Sequence, residues 1–297
     1  MRTYANKIKA PQYYNLKTTC HIHGWKNLAP FAWDDDAGTL SFAMLVDDRP
    51  VDVTTKQLND DILVDVASPA ALKSTQKELI NAAVSRALDL ETDTRDLYKL
   101  SKSINSYYGA LVKKGAGRML RSPSLWEDAA KTLFTTNCSW DLTRIMCRSA
   151  CSPNFSIATA QGDYPFPNVE KIARVTETRL KEKMRVGYRA GYLKNLAKRL
   201  KQEGDCLHIE NSTEEELRAF FGNIEGFGPY ATNHMLVLCG FYTQIPVDSV
   251  VRSYLKEYHQ TEDYLDYIES YYGKWGQYKW WGMRLEQIAN RTNWLGD

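Results

Sequence analysis

Between Asn223 and Ser253 the chain reads NIEGFGPYATNHMLVLCGFYTQIPVDSVVRS. Gly226 and Gly228 lie beside the apolar residues Ile224 and Phe227, ahead of an apolar run that ends at Leu238. Such a pattern predicts a tight hairpin between two short helices, with the glycines free to take positive φ and to let another molecule approach the backbone closely. A helix that opens directly after the hairpin aims unpaired amide N–H groups in one direction, an arrangement suited to a phosphate. Twenty residues beyond Gly228, Pro246-Val247-Asp248 places a carboxylate at the start of a further helix.

The rest of the chain gives this element a context. From Asp34 to Asp65 there are nine acidic and two basic residues, and from Lys171 to Lys201 eleven basic and two acidic, so a net charge of +2 hides a concentrated positive field in the back half. Alternation predicts strands over Tyr14 to Ile22, Leu40 to Val46, Val51 to Gln57 and Ile62 to Val66, with turns at Asp47 to Pro50 and at Asn59-Asp60. The sheet they form is expected to carry an acidic outer face, unsuited to lying on DNA. On a strand, His21 and His23 would share a face and could hold a metal, although no cysteine or acidic partner is near in sequence. From Lys73 onward the period is helical, with Leu79, Ala82, Ala83 and Ala87 as the buried face of the first helix. Further helices are expected over Thr94 to Tyr108, Leu125 to Phe134, Trp140 to Arg148, Asn168 to Val175, Tyr188 to Lys201 and Glu214 to Phe221. The fold class is therefore α+β, an antiparallel sheet unit with flanking helices over residues 1–100 and an all-helical body over 101–297, with the helix-hairpin-helix element at 214–239.

Six cysteines at 20, 138, 147, 151, 206 and 239 form no CxxC pair and are read as reduced thiols, in keeping with a cytoplasmic location. No apolar run approaches the roughly 18 residues that span a bilayer, and the first residues lack the apolar core of a signal peptide. The tail aromatics Tyr271, Tyr272, Trp275, Tyr278, Trp280, Trp281 and Trp294 suit a base-stacking platform, but on a helix that packs against a core they are expected as core residues.

The run Ile224-x-Gly226-Phe227-Gly228-x-x-x-Thr232, an apolar helix, then Pro246-Val247-Asp248 resembles the helix-hairpin-helix, Gly/Pro-Asp superfamily of DNA glycosylases. Gly117-Arg118-Met119-Leu120-Arg121-Ser122-Pro123, leading to Phe134-Thr135-Thr136-Asn137-Cys138-Ser139, is similar to the segment of 8-oxoguanine glycosylases that fills the gap left by an extruded base. Gly187-Tyr188-Arg189-Ala190 matches that family's GYRA motif, and Pro30-Phe31-Ala32-Trp33 resembles part of its amino-terminal sheet domain.

The resemblance implies an enzyme, monomeric and acting on double-stranded DNA, that flips a damaged or modified base into a pocket and hydrolyses its glycosidic bond. Asp248 would be the catalytic carboxylate. Phosphate contacts would come from the amides around Gly226, Gly228 and Tyr230, with Arg185, Tyr188 and Arg189 assisting. Asn137 would enter the duplex with Cys138 and Ser139 beside it, or would simply cap the helix that begins near Trp140. Phe31, Trp33, Trp140 and Tyr230 would wall the base pocket. Carbonyls of Gly222, Ile224 and Phe227 correspond to those that hold a structural Na+ or K+ in relatives; no other cofactor is implied. Some relatives carry a four-cysteine iron-sulfur loop near the C-terminus, and no cysteine follows Cys239 here, so no cluster is expected.

Relatives that also cut the strand place a lysine two residues after the second hairpin glycine, where this chain has Tyr230. Imine formation needs an amine, so a monofunctional glycosylase is expected. An electron-poor alkylated purine is the favoured base. A bulky modified pyrimidine, such as a glucosylated hydroxymethylcytosine of phage DNA, is the alternative and would point to defence against phage. A non-catalytic helix-hairpin-helix DNA-binding protein is the reading from another class.

Overall fold

The computed structural model describes residues 1–203 and 211–290; Cys206 and Trp294 lie outside them. Five antiparallel strands open the chain: β1 (Arg2–Lys9), β2 (Ala32–Asp34), β3 (Thr39–Val46), β4 (Arg49–Leu58) and β5 (Asp61–Ser68). Their order is β1-β5-β4-β3-β2. The pairs Leu40↔Thr55 and Thr55↔Val64 put Leu40, Thr55 and Val64 on the face that meets the helices, and all three are buried.

The segment Tyr14 to Ile22 is not a strand. It holds the helix α1 (Leu16–His21), capped by Asn15, whose Oδ1 accepts the Thr18 amide at 2.8 Å. Leu16 and Cys20 share a side under either a period of 2 or a period of 3.6, and the cap decides between them. His21 and His23 consequently part company: His21 Nδ1 meets the Lys17 carbonyl at 2.7 Å, while His23 caps a 3-10 turn over Gly24–Asn27.

The outer sheet face is of mixed charge rather than acidic. Asp65 faces it together with Lys7 and Lys56, and Asp52 is covered there by the backbone of Gln161 at 3.3 Å. Most of the other acidic residues occupy the turns between strands.

Helices follow in the order α2 (Ser74–Ala87), α3 (Arg95–Ile104), α4 (Ser106–Lys113), α5 (Leu125–Thr135), α6 (Trp140–Ala150), α7 (Val169–Arg174), α8 (Glu177–Arg179), a π turn over Leu180–Met184, α9 (Arg189–Glu203), α10 (Glu214–Gly222), α11 (Pro229–Leu238), α12 (Ser249–His259), α13 (Tyr264–Tyr272) and α14 (Lys279–Asn290). On α2 the buried face is Gln76, Ile80, Val84 and Ala87, one step round from the expected one, and Leu79 is exposed. Trp275, Trp280, Trp281 and Tyr272 are core residues, whereas Tyr271 stays partly exposed. Sheet and helices share one buried cluster.

Asp128 on α5 is the polar knot of that cluster. Fully buried, it accepts Trp25 Nε1 and the Ser122 amide, each at 2.8 Å, and pairs with Arg86 at 2.8 Å. A buried carboxylate is tolerated when every lone pair is used in this way. The knot fixes the segment His23–Trp25 against α5, and that segment forms one wall of the cleft described next.

Candidate active site and nucleic-acid interface

The hairpin is held by its own backbone. The Ile224 amide donates to the Phe221 carbonyl and the Phe227 amide to the Ile224 carbonyl, both at 3.0 Å. Phe221 and Phe227 stack beneath at 6.4 Å, and Ile224 and Phe227 are buried. The two glycines do different work. Gly226 has φ +91, and a Cβ there would fall 2.7 Å from Tyr192 Cδ2 and 3.0 Å from Leu133 Cδ1. Gly228 has φ −86, open to any residue, so positive φ is not its reason for being glycine. A Cβ at Gly228 would meet nothing within 4 Å, which makes this the open face of the hairpin. With Gly228 as cap and Pro229 in the first turn, the first intrahelical bond runs from the Thr232 amide to the Gly228 carbonyl at 3.0 Å. Helix geometry leaves the Tyr230 and Ala231 amides without intrahelical acceptors.

Those amides border a cavity of about 810 Å³ that also contains Asp248. Five segments enclose it: His23–Trp25, the turn Thr135–Cys138 with Trp140, the start of α11, Pro246–Arg252, and a face of α14 with Trp280, Met283, Arg284 and Gln287. Asp248 is the N-cap of α12, its Oδ1 accepting the Val251 amide at 2.8 Å. Oδ2 makes no protein hydrogen bond among the described residues. Tyr230 stacks on His234 at 5.8 Å and its hydroxyl lies 3.4 Å from Thr135 Oγ1. Burial, aided by the negative charge of Asp248, pushes the Tyr230 phenol up to about 12, so it stays protonated.

Two neighbouring histidines escaped the sequence reading. Burial lowers His234 to about 4 and lowers His23 well below the usual range, with the Arg284 guanidinium adding to both effects. Both are neutral at neutral pH. Their rings lie 6.1 Å apart, and the Nε2 atom of each is buried without a hydrogen-bond partner. Nothing in the local sequence announces the pair, because it forms through contacts between residues about two hundred positions apart. The only local hint was polar side chains in otherwise apolar runs.

The turn before α6 is strongly braced. Asn137 takes φ +47, a left-handed conformation that asparagine tolerates. Cys138 Sγ donates to the Phe134 carbonyl at 2.9 Å, and Thr143 Oγ1 donates to the same carbonyl at 3.1 Å. Ser139, not Asn137, caps α6, accepting the Leu142 amide at 3.3 Å. Trp140 is 39% exposed and its indole lies against Gly24, where a Cβ would come within 2.5 Å of it.

Other expected residues stand elsewhere. Phe31 is buried against Phe42 at 5.2 Å, with Lys131 Nζ 4.6 Å from its ring, inside the core rather than the cleft. Trp33 lies on the edge strand β2, donating from Nε1 to Asp35 at 2.9 Å. Neither walls the cavity, because the chain at Phe31–Trp33 joins the sheet edge instead of turning toward α11. Arg189 is only 4% exposed and its guanidinium donates to the Thr136 carbonyl, so its charge is turned inward to the turn. Tyr188, stacked over that guanidinium at 4.6 Å, is exposed, as is Arg185 at φ +63. A second cavity, of about 860 Å³, lies between α2, β3 and the starts of α5 and α7 and shares no lining residue with the first.

No family model and no curated protein matches the chain. Solved structures do. An 8-oxoguanine glycosylase/lyase from Clostridium acetobutylicum in its apo form superposes with a TM-score of 0.72 at 18% identity, over 95% of this chain and 94% of that one. The same enzyme bound to double-stranded DNA containing cytosine opposite 8-oxoguanine gives 0.70 at 17% identity, over 97% and 98%. A 3-methyladenine DNA glycosylase from Archaeoglobus fulgidus gives 0.71 at 17% identity, over 95% and 97%. From the amino-terminal sheet to the last helix, the chain has the fold of the 8-oxoguanine and 3-methyladenine DNA glycosylases.

Proposed function

We propose that the protein is a monofunctional DNA glycosylase that extrudes a modified base from duplex DNA, hydrolyses its glycosidic bond and leaves an abasic site. One observation carries this reading: a carboxylate with an unengaged oxygen, Asp248, shares a cleft with the open amides of a helix-hairpin-helix. The amides of Tyr230 and Ala231 hold a backbone phosphate beside the open Gly228 face. Asn137 fills the gap left in the duplex, and the extruded nucleotide enters the cavity between Trp140 and Tyr230. Glycosidic cleavage passes through a cationic sugar, which a fixed carboxylate stabilises while orienting the attacking water. The Val251 amide holds Oδ1, leaving Oδ2 for that role.

Hydrolysis without strand cleavage follows from the lining. The Clostridium neighbour is a glycosylase/lyase, but here no lysine lines the cleft among the described residues and Tyr230 presents a protonated phenol. Hairpin carbonyls at Gly222, Ile224 and Phe227 offer hard oxygen donors of the kind an alkali-metal ion takes. The Ile224 oxygen already accepts one amide and keeps a second lone pair.

For the base, the cavity favours the modified pyrimidine over the alkylated purine. Its volume falls in the upper part of the roughly 300–1,000 Å³ range of small-molecule sites. Part of its lining is neutral histidine, glutamine and an arginine, which suits a large polar substituent better than a cationic ring. The test is mass spectrometry of bases released from DNAs that carry alkylated purines, oxidised purines or glycosylated hydroxymethylcytosine. Release from none of them, with duplex binding intact, favours the non-catalytic DNA-binding protein.

A further inference from the structure

The hairpin and the Asn137 turn are separated by some ninety residues of sequence, yet one face of α9 touches both. Arg189 donates to the Thr136 carbonyl, immediately before Asn137. Three residues on, Tyr192 fills the space beside Gly226 that a Cβ would need. Asn195 Nδ2 then donates to Glu225 at 2.9 Å, and Arg199 Nη1 to the Asn223 carbonyl at 3.0 Å. Spacings of three and four residues put all four on one side of a helix. Between the two ends, Tyr188 packs on the Arg189 guanidinium at 4.6 Å and edge-on to Tyr192 at 6.0 Å.

A helix is the stiffest spacer a chain provides, and its side chains here fix the hairpin at one end and the turn at the other. We propose that Arg189 is a positioning residue for base extrusion: by holding the Thr136 carbonyl it sets the Asn137 turn at a fixed reach from the phosphate-binding hairpin. The inference rests on the reading of the cleft as a base-extruding site. Buried to 96%, Arg189 makes no phosphate contact, and its charge serves the turn. Asn137, in a left-handed conformation, depends on its neighbours to hold it there.

The experiment compares wild type with Arg189→Ala, Arg189→Lys, Asn137→Ala and the double variant Arg189→Ala/Asn137→Ala. Duplex affinity and its salt dependence report on the hairpin. Fluorescence of 2-aminopurine at the target position reports on extrusion, and base release from duplex and single-stranded oligonucleotides reports on chemistry. Arg189→Ala is expected to keep duplex affinity and salt slope, to lose the fluorescence rise, and to lose roughly 100-fold of duplex cleavage, while single-stranded cleavage is unchanged. Arg189→Lys, which still donates to one carbonyl, is expected to recover the fluorescence rise. Because Arg189 acts through the turn, the double variant is expected to be no worse than Asn137→Ala alone.

A salt slope reduced by about 1 in Arg189→Ala would reveal a direct phosphate contact and overturn the proposal. Equal losses on duplex and single strand, or additive losses in the double variant, would overturn it as well. If wild type raises the fluorescence but releases no base, the glycosylase reading fails while the role of Arg189 is still decided by the fluorescence arm. A wild type that gives no fluorescence rise overturns the positioning role outright.

Discussion

Asp248 divides its two tasks between two atoms: Oδ1 is tied to the Val251 amide at 2.8 Å, and Oδ2 is left to the cleft. Asparagine caps a helix about as well as aspartate, so Asp248→Asn removes charge and keeps the cap. Base release under single-turnover conditions should fall by roughly 100-fold or more, with the melting temperature and duplex binding unchanged. Tyr230 invites the converse substitution. Tyr230→Lys places an amine in the cleft beside Asp248, and borohydride should then trap a protein–DNA adduct that wild type does not form. His234 gives a pH signature of its own. Its folded value, near 4, lies below the unfolded one, so between about pH 6.5 and 4 the unfolded chain binds the extra proton and stability falls as pH falls. The expected contribution is about 1.4 kcal/mol per pH unit in that window, and His23 adds to it with the same sign. Urea midpoints measured from pH 4 to 7 on wild type and His234→Gln check this, the variant showing the shallower dependence. Asp248 and Tyr230 stand out in the sequence because the hairpin fixes their spacing. His23, His234 and Arg284 do not, since only tertiary contacts bring them together.

The hairpin shows how two identical residues can serve unlike purposes. Gly226→Ala forces a methyl to within 2.7 Å of the Tyr192 ring at φ +91 and should cost about 1–3 kcal/mol of stability. Gly228→Ala meets no atom within 4 Å at an ordinary φ and should change stability by less than about 0.5 kcal/mol, yet weaken duplex binding by crowding the phosphate. Urea unfolding and fluorescence anisotropy separate the two effects. Elements with strong periodicity were legible: β3, β4, β5 and the helices from α2 to α10 all lie where alternation or helical spacing places them. Short elements were not. α1 has only six residues, too few for two periods to diverge, and was read as a strand. β1 hides its alternation among lysines and an arginine at the sheet edge, and the three residues of β2 carry almost no pattern.

Across the molecule, the charge asymmetry read from the sequence needs refinement. The acidic residues of the front unit gather mainly in turns, and the sheet face itself is mixed. Of the basic stretch, Arg189 is turned inward, while Arg185 is among those that remain exposed. Duplex affinity should still fall steeply with salt, with a log–log slope of about −0.9 per phosphate contacted; a titration series in added salt measures that number. The central claim concerns chemistry, and the most direct measurement is release of free base from modified duplex DNA, followed by mass spectrometry together with alkaline cleavage of the strand. Wild type should release one class of modified base and leave strands that break only after alkali, and Asp248→Asn should bind the same DNA and release none. Unchanged release by Asp248→Asn, or strands already broken before alkali in the wild-type reaction, would contradict the account.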